Sequence, residues 1–141
     1  MSTEHIFTDV ILGQVWEYHN DPNLLKRRYR GLCVYSENNE GGTVLIHSDL
    51  PEEERLEVVI HETFHAAFPA FVEFWALDYG QSAADMLLCN NVKRKRGRSL
   101  GKLRILLLKH SEHSLPDLLR VVRSEFTNDL ARILKQDGWS V

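Results

Sequence analysis

His61-Glu62-Thr63-Phe64-His65 combines residue types and a spacing that can do chemistry. On a helix, histidines four positions apart lie on one face, where both imidazoles can ligate a single Zn²⁺. The glutamate between them is set to act on a metal-activated water. The flanks suit such a site. Val58, Val59 and Ile60 lead into the motif, Ala66, Ala67 and Phe68 leave it, and Glu62 is the only acidic or basic residue from Val58 to Phe68 other than the histidines. The competing reading is a half-buried helix that carries two satisfied histidines.

A catalytic zinc normally takes three protein ligands and leaves a fourth position for water. The metzincin extension, with Gly three and His six residues after the second histidine, is excluded, because Phe68 and Phe71 stand there. The gluzincin arrangement uses a Glu on a later helix with an Asp four residues on. Glu125 and Asp129 have that spacing. Glu125 is therefore the expected third ligand. Asp129 is expected to accept the second N–H of a ligand histidine and fix its tautomer. A solvated acidic face paired with Arg123 or Arg132 is the alternative. Glu73 is the foremost rival ligand, followed by His110 and His113, with Asp78 and Asp85 also on the intervening helix. His47 reads as a strand residue near the cleft.

The elements that must position these groups follow from periodicity. Ile6 to Tyr18 alternates and is rich in β-branched and aromatic residues. Asn20-Asp21-Pro22-Asn23 is a turn cluster, Tyr29 to Tyr35 a second strand, and Thr43 to His47 a third. These three strands predict a small N-terminal sheet. Pro51 and Glu52-Glu53-Glu54 then open a helix, as Pro costs no hydrogen bond there and acids favour the helix dipole. Leu56, Val59, Ile60, Phe64 and Ala67 continue it at helical spacing, which predicts a helix over 51–67 that stops before Pro69. Phe71 to Leu88 reads as a second helix interrupted by Gly80, and Leu100 to Lys109 as a third. Ser114 with Asp117 resembles a capping box for a fourth, which Gly138 closes. The fold class expected is α+β: a sheet packed on the motif helix, followed by C-terminal helices.

Composition fits one soluble globular domain over 1–141, with 43% hydrophobic and 26% charged residues. Cys33 and Cys89 form no CxxC pattern, so neither a disulfide framework nor a zinc ribbon is expected, and a reducing cytoplasmic setting fits best. The first ten residues lack the basic start and apolar run of a secretory leader. No stretch approaches a membrane span. Net charge is −3, but unevenly spread. Eight acids face one base between Glu37 and Glu62, whereas eight bases and no acid occur between Cys89 and Ser111. The densest part, Lys93, Arg94, Lys95, Arg96 and Arg98, is a candidate anion patch for nucleic acid or an acidic protein. No aromatic residue is interleaved to stack bases, so a solvated surface loop is the favoured reading.

Two segments resemble the zincin metallopeptidases, and more narrowly the small phage-type metallopeptidases. Glu54-Arg55-Leu56-Glu57-Val58-Val59-Ile60-His61-Glu62-Thr63-Phe64-His65-Ala66 resembles their motif helix. Asp129-Leu130-Ala131-Arg132-Ile133-Leu134, followed by Gly138-Trp139, resembles their closing helix and tail. SprT-like domains are more distantly similar. The likeness covers about half the chain, strongly over 43–68 and moderately over 114–139. The basic insertion at about 72–112 departs from it. The resemblance implies Zn²⁺ and hydrolysis of a peptide or protein substrate, with Glu62 as general base. An oxyanion stabiliser is then expected, and His113, His110 and Tyr79 are the candidates. Such enzymes bind extended substrate along a strand beside the motif helix, here expected to be Thr43 to His47. Two other classes stay open: a catalytically silent zinc-binding scaffold that holds a partner protein, and a nucleic-acid module built on residues 93–109.

Overall fold

The computed structural model describes residues 3–38, 40–94 and 100–140. The fold is α+β, as the periodicities predict. Strands β1 (Glu4–Ile11), β2 (Gln14–Asp21), β3 (Gly31–Tyr35) and β4 (Gly42–His47) precede helices α1 (Glu52–Ala67) and α2 (Glu73–Cys89). A short strand β5 (Lys93–Arg94), helices α3 (Leu100–Ser114) and α4 (Arg123–Gln136), and a short strand β6 (Trp139–Ser140) complete the chain. No helix among the described residues is long and apolar enough to cross a membrane.

The N-terminal sheet has four strands where periodicity predicts three. The stretch expected as one strand is a hairpin, because Leu12 and Gly13 turn the chain with φ of +46° and +86°. Two-residue hairpin turns require positive φ, and a leucine at such a position carries no turn signal. Strand order is β1-β2-β4-β3, with β2 and β4 parallel and the other pairs antiparallel. β4 is therefore interior to the sheet, and β3 is a free edge.

One sheet face is apolar. Ile11, Trp16, Tyr18, Val44 and Ile46 are buried there, while Val15 and Glu17 of the opposite parity are exposed. α1 packs along β3 and β4, and α4 lies beside α1 and β1. α1 buries most of its circumference: Leu56, Val59, Ile60, Thr63 and Phe64 are inaccessible. Thr63 shares a 2.6 Å hydrogen bond with the Tyr18 hydroxyl. Phe64 sits in an aromatic cluster with Phe68, Tyr79 and Phe126 at centroid distances of 5.1, 5.4 and 6.2 Å. The two central residues of the motif thus lock the helix, which leaves the flanking histidines to face outward.

α3 and α4 meet differently from the sequence expectation. Ser114 ends α3 rather than capping α4, since Pro116 is extended (ψ 145°). A single 3-10 turn at Asp117–Leu119 follows before α4 opens at Arg123. Leu118 and Val121, on either side of this turn's end, are 74% and 94% exposed. At the far end, Arg55 of α1 is buried and donates to both oxygens of Asp137.

Candidate metal centre

His61 and His65 turn their Nε2 atoms to one point, 3.1 Å apart. The third group there is Glu73, the first residue of α2. Its Oε1 lies 2.7 Å from His61 Nε2 and its Oε2 lies 2.8 Å from His65 Nε2. One donor atom from each residue falls within 4.8 Å of the others, and this is the only such group of three among the described residues. A tetrahedral zinc site has donor separations of about 3.3 Å, given Zn–N distances near 2.0–2.1 Å. The observed separations are a few tenths of an ångström shorter. Each Nε2 has a Glu73 oxygen within hydrogen-bond distance, and a single cation could take all three donor atoms. The donor set of two imidazoles and one carboxylate therefore fits Zn²⁺.

Packing of α2 on α1 delivers Glu73. A Cβ on Gly80 would lie 3.2 Å from His61 Cβ and 3.3 Å from the Glu57 carbonyl oxygen. The residue that weakens the helix by propensity is the one that lets it approach the motif. Glu73 itself is 68% exposed and closes the group from the solvent side. Burial holds the His61 pKa below the ordinary histidine value, against the opposing charge of Glu73. The ring thus keeps the neutral form that a ligand requires.

The cleft in front of these atoms has a volume of about 490 Å³. Gly31 and Cys33 of β3, with Val58 and Leu77, line it beside the histidines. Glu62 is buried between α1 and β3: a Cβ on Gly31 would come within 2.5 Å of Val58 Cγ1 and 2.9 Å of Glu62 Cγ. No described residue donates a hydrogen bond to its carboxyl group. Burial first, and the Glu73 charge second, push its pKa up to about 8. That range suits a general base working near neutral pH.

The free edge of β3 borders the same cleft. The His47 N–H donates to the Arg30 carbonyl and the Ser36 N–H to the Gly41 carbonyl. By antiparallel alternation, Leu32 and Val34 then also face β4, and the backbone groups of Gly31, Cys33 and Tyr35 face outward. The Tyr35 hydroxyl donates 2.6 Å to the His65 carbonyl and pins this edge to the last turn of α1.

Several expectations need correction. Glu125 is exposed on the first turn of α4, outside the group that holds the two histidines. Glu73 stands beside the two histidines instead, because α2 rather than α4 crosses the exposed side of the motif. Asp129 is buried but meets no histidine. One oxygen accepts the Leu12 N–H at 3.0 Å and the other binds Arg132 at 2.8 Å, so it braces the β1–β2 turn. Thr43–His47 is not an available edge, as β2 and β3 cover both its sides. His47 is buried and its Nδ1 accepts the Asp49 N–H.

The three oxyanion candidates lie away from the cleft lining. The Tyr79 hydroxyl is buried against Ser111 at 3.0 Å. His110 bonds Ser82 at 3.1 Å, and His113 is exposed on α3. The cleft offers Arg28, Tyr29 and Arg30 instead. These were missed although Lys26-Arg27-Arg28-Tyr29-Arg30 is a basic run with an interleaved aromatic, the very signal sought at 93–98. Within that later run, Lys95, Arg96 and Arg98 lie outside the described residues. Lys93 and Arg94 pair with the C-terminal strand, and Arg94 donates to the Asp137 carbonyl at 2.9 Å.

Fold and site together define an α+β protein with a His₂–carboxylate group beside an open sheet edge. No family model, curated protein or solved structure matches the chain.

Proposed function

We propose that the protein is a zinc-dependent peptidase, with His61, His65 and Glu73 as ligands and Glu62 as general base. The observation that carries this reading is the convergence of three ligand atoms within 4.8 Å, in one cleft with a buried Glu62 that has no hydrogen-bond donor among the described residues and with the free edge of β3. A bound Zn²⁺ supplies Lewis acidity, which polarises a carbonyl and lowers the pKa of a water to about 7.

The chain's own residues do the rest. The outward N–H and C=O groups of Gly31, Cys33 and Tyr35 pair with an extended peptide, which presents the scissile carbonyl to the histidine side of the cleft. Glu62 takes a proton from the attacking water and returns it to the amide nitrogen as the C–N bond breaks and a C–O bond forms. Val58 and Leu77 give the cleft apolar walls that keep Glu62 poorly solvated. Free Cys33 and Cys89 fit a reducing, cytoplasmic setting.

Elemental analysis of purified protein tests the reading. One zinc per chain is expected in wild type, lost in Glu73→Ala and kept in Glu125→Ala. Cleavage of a peptide library is then expected in wild type and abolished in Glu62→Gln, which still binds zinc. A Glu62→Gln variant that retains zinc beside a wild type that never cleaves would leave the silent scaffold. A wild type that refuses zinc would remove the peptidase reading altogether.

A further inference from the structure

The basic run Lys26-Arg27-Arg28-Tyr29-Arg30 immediately precedes the edge strand, and all five residues are exposed. Arg30 faces Glu57 at 3.9 Å, a loose pair in water. Lys26, Arg27 and Arg28 meet no carboxylate among the described residues. Arg28 and Arg30 line the cleft, and the loose Arg30–Glu57 contact is the one carboxylate pairing of the run among the described residues.

Their presentation is fixed rather than floppy. The buried Leu24 side chain anchors the 3-10 turn at Leu24–Arg27. The N–H groups of Arg28 and Tyr29 donate to the Leu25 and Leu24 carbonyls at 2.9 and 3.1 Å. Arg28 is thereby held at φ +67°, a left-handed conformation uncommon for arginine. Strain of this kind persists where the surroundings over-determine it, and it directs the Arg28 side chain to the cleft that His61, Glu62, His65 and Glu73 also line.

We propose that this rim is an anionic subsite and that the cleft selects acidic peptides. The inference rests on the peptidase reading, since it takes β3 as the edge on which the peptide lies. Pairing of β3 with β4 continues back to Arg30, whose carbonyl accepts the His47 N–H. A peptide strand laid on Gly31 and prolonged in that direction runs onto Arg30 and Arg28. At about 3.3 Å per residue, an Asp or Glu within about four residues of the bond cut reaches them. Arginine donors in a planar fork suit carboxylates. Nucleic acid has no peptide backbone to ladder along the free edge, so an acidic peptide satisfies both features where a nucleic acid satisfies one.

Fluorescence anisotropy on the full-length Glu62→Gln variant, with zinc and after chelation, tests this. The probes are labelled peptides of equal length that are Asp/Glu-rich, neutral or Lys-rich, and a single-stranded oligonucleotide. The acidic peptide is expected to bind at least about tenfold tighter than the neutral one. The preference is expected to fade between about 50 and about 500 mM salt. Arg28→Asn with Arg30→Gln removes it, Asn being chosen because it tolerates the left-handed backbone. Arg28→Glu with Arg30→Glu turns it toward the Lys-rich peptide, and Lys93→Gln on β5 leaves it intact. Equal affinities, or a preference that survives the paired substitutions, would overturn the proposal. So would tighter binding of the oligonucleotide that depends on the same two arginines. The readout is independent of cleavage: acidic preference without zinc binding sinks the peptidase reading alone, and cleavage without acidic preference sinks the subsite alone.

Discussion

Arg55 of α1 grips Asp137, just past α4, through two hydrogen bonds of 3.0 and 2.6 Å, with both side chains at most 2% exposed. Asn20 of β2 takes a third guanidinium proton at 3.0 Å, and the Trp139 indole donates to Asp137 at 2.9 Å. The sheet, the histidine-bearing helix α1 and the segment after α4 meet at this one buried pair. It lies at the opposite end of α1 from the histidines, so it fixes the helix without touching the chemistry.

Removing one partner strands a buried charge, which typically costs about 3–5 kcal/mol. Asp137→Asn is therefore expected to lower the urea midpoint of the metal-free protein sharply. Arg55→Met combined with Asp137→Leu is expected to cost less than either partner's loss alone. Additive effects in that double-mutant cycle would show that the pair is not a unit.

Gly31→Ala forces a methyl group against Val58 Cγ1 and Glu62 Cγ. Both are side chains, so the fold can yield by turning them aside. The expected outcome is a loss of stability of about 1–3 kcal/mol, as for an overpacked core. Peptide cleavage is expected to fall further, by at least about tenfold, because Glu62 is displaced from its working position. Thermal melts and kcat, measured together, check this. Unchanged kcat would separate Glu62 from the catalytic role.

The buried Glu62 gives the metal-free protein a definite pH dependence. Its pKa rises from 4.5 to about 8 on folding. Between those values the folded state holds a proton that the unfolded state has lost, so stability falls as pH rises from about 4.5 to 8 and levels off beyond. His61, held low by burial, acts in the opposite sense below its ordinary pKa of 6.5. The difference between wild type and Glu62→Gln isolates the first effect. Wild type should lose roughly 5 kcal/mol relative to the variant across that window. Parallel pH profiles of the two denaturation midpoints, taken after chelation, would refute this.

Cys33 lines the cleft with its thiol pushed up to about 12, by burial first and by the Glu62 charge second. Cys89 is exposed at the end of α2. Since the thiolate is the reactive form, iodoacetamide at pH 8 is expected to label Cys89 at least about 100-fold faster. In Glu62→Gln the Cys33 rate should rise. Mass spectrometry of timed samples decides between this ordering and equal labelling.

Much of the site's framework is local and was legible in the residue order. Pro51 and three glutamates begin α1, the apolar period carries it, and the helix ends one residue before Pro69's neighbour, Phe68. Two histidines four apart on that helix must share a face, and Thr63 and Phe64 between them had to take the buried sides. The α+β class followed equally from alternation giving way to helical spacing.

What lay between distant segments was decided only in three dimensions. Glu125 and Asp129 have the familiar spacing for a third ligand and its support, yet Glu73 stands at the histidines. The reason is the direction in which α2 leaves α1 and the closeness that Gly80 permits, neither of which is written in any local pattern. The edge strand likewise passed from β4 to β3 because a leucine at positive φ folded one expected strand into two, and parallel pairing of β2 with β4 left β3 outermost. Residue types and short spacings determine a helix and the face its side chains share, since those rest on backbone geometry within a few turns. Which carboxylate reaches that face depends on helix packing and strand order, and those are settled by the burial of the whole apolar surface at once.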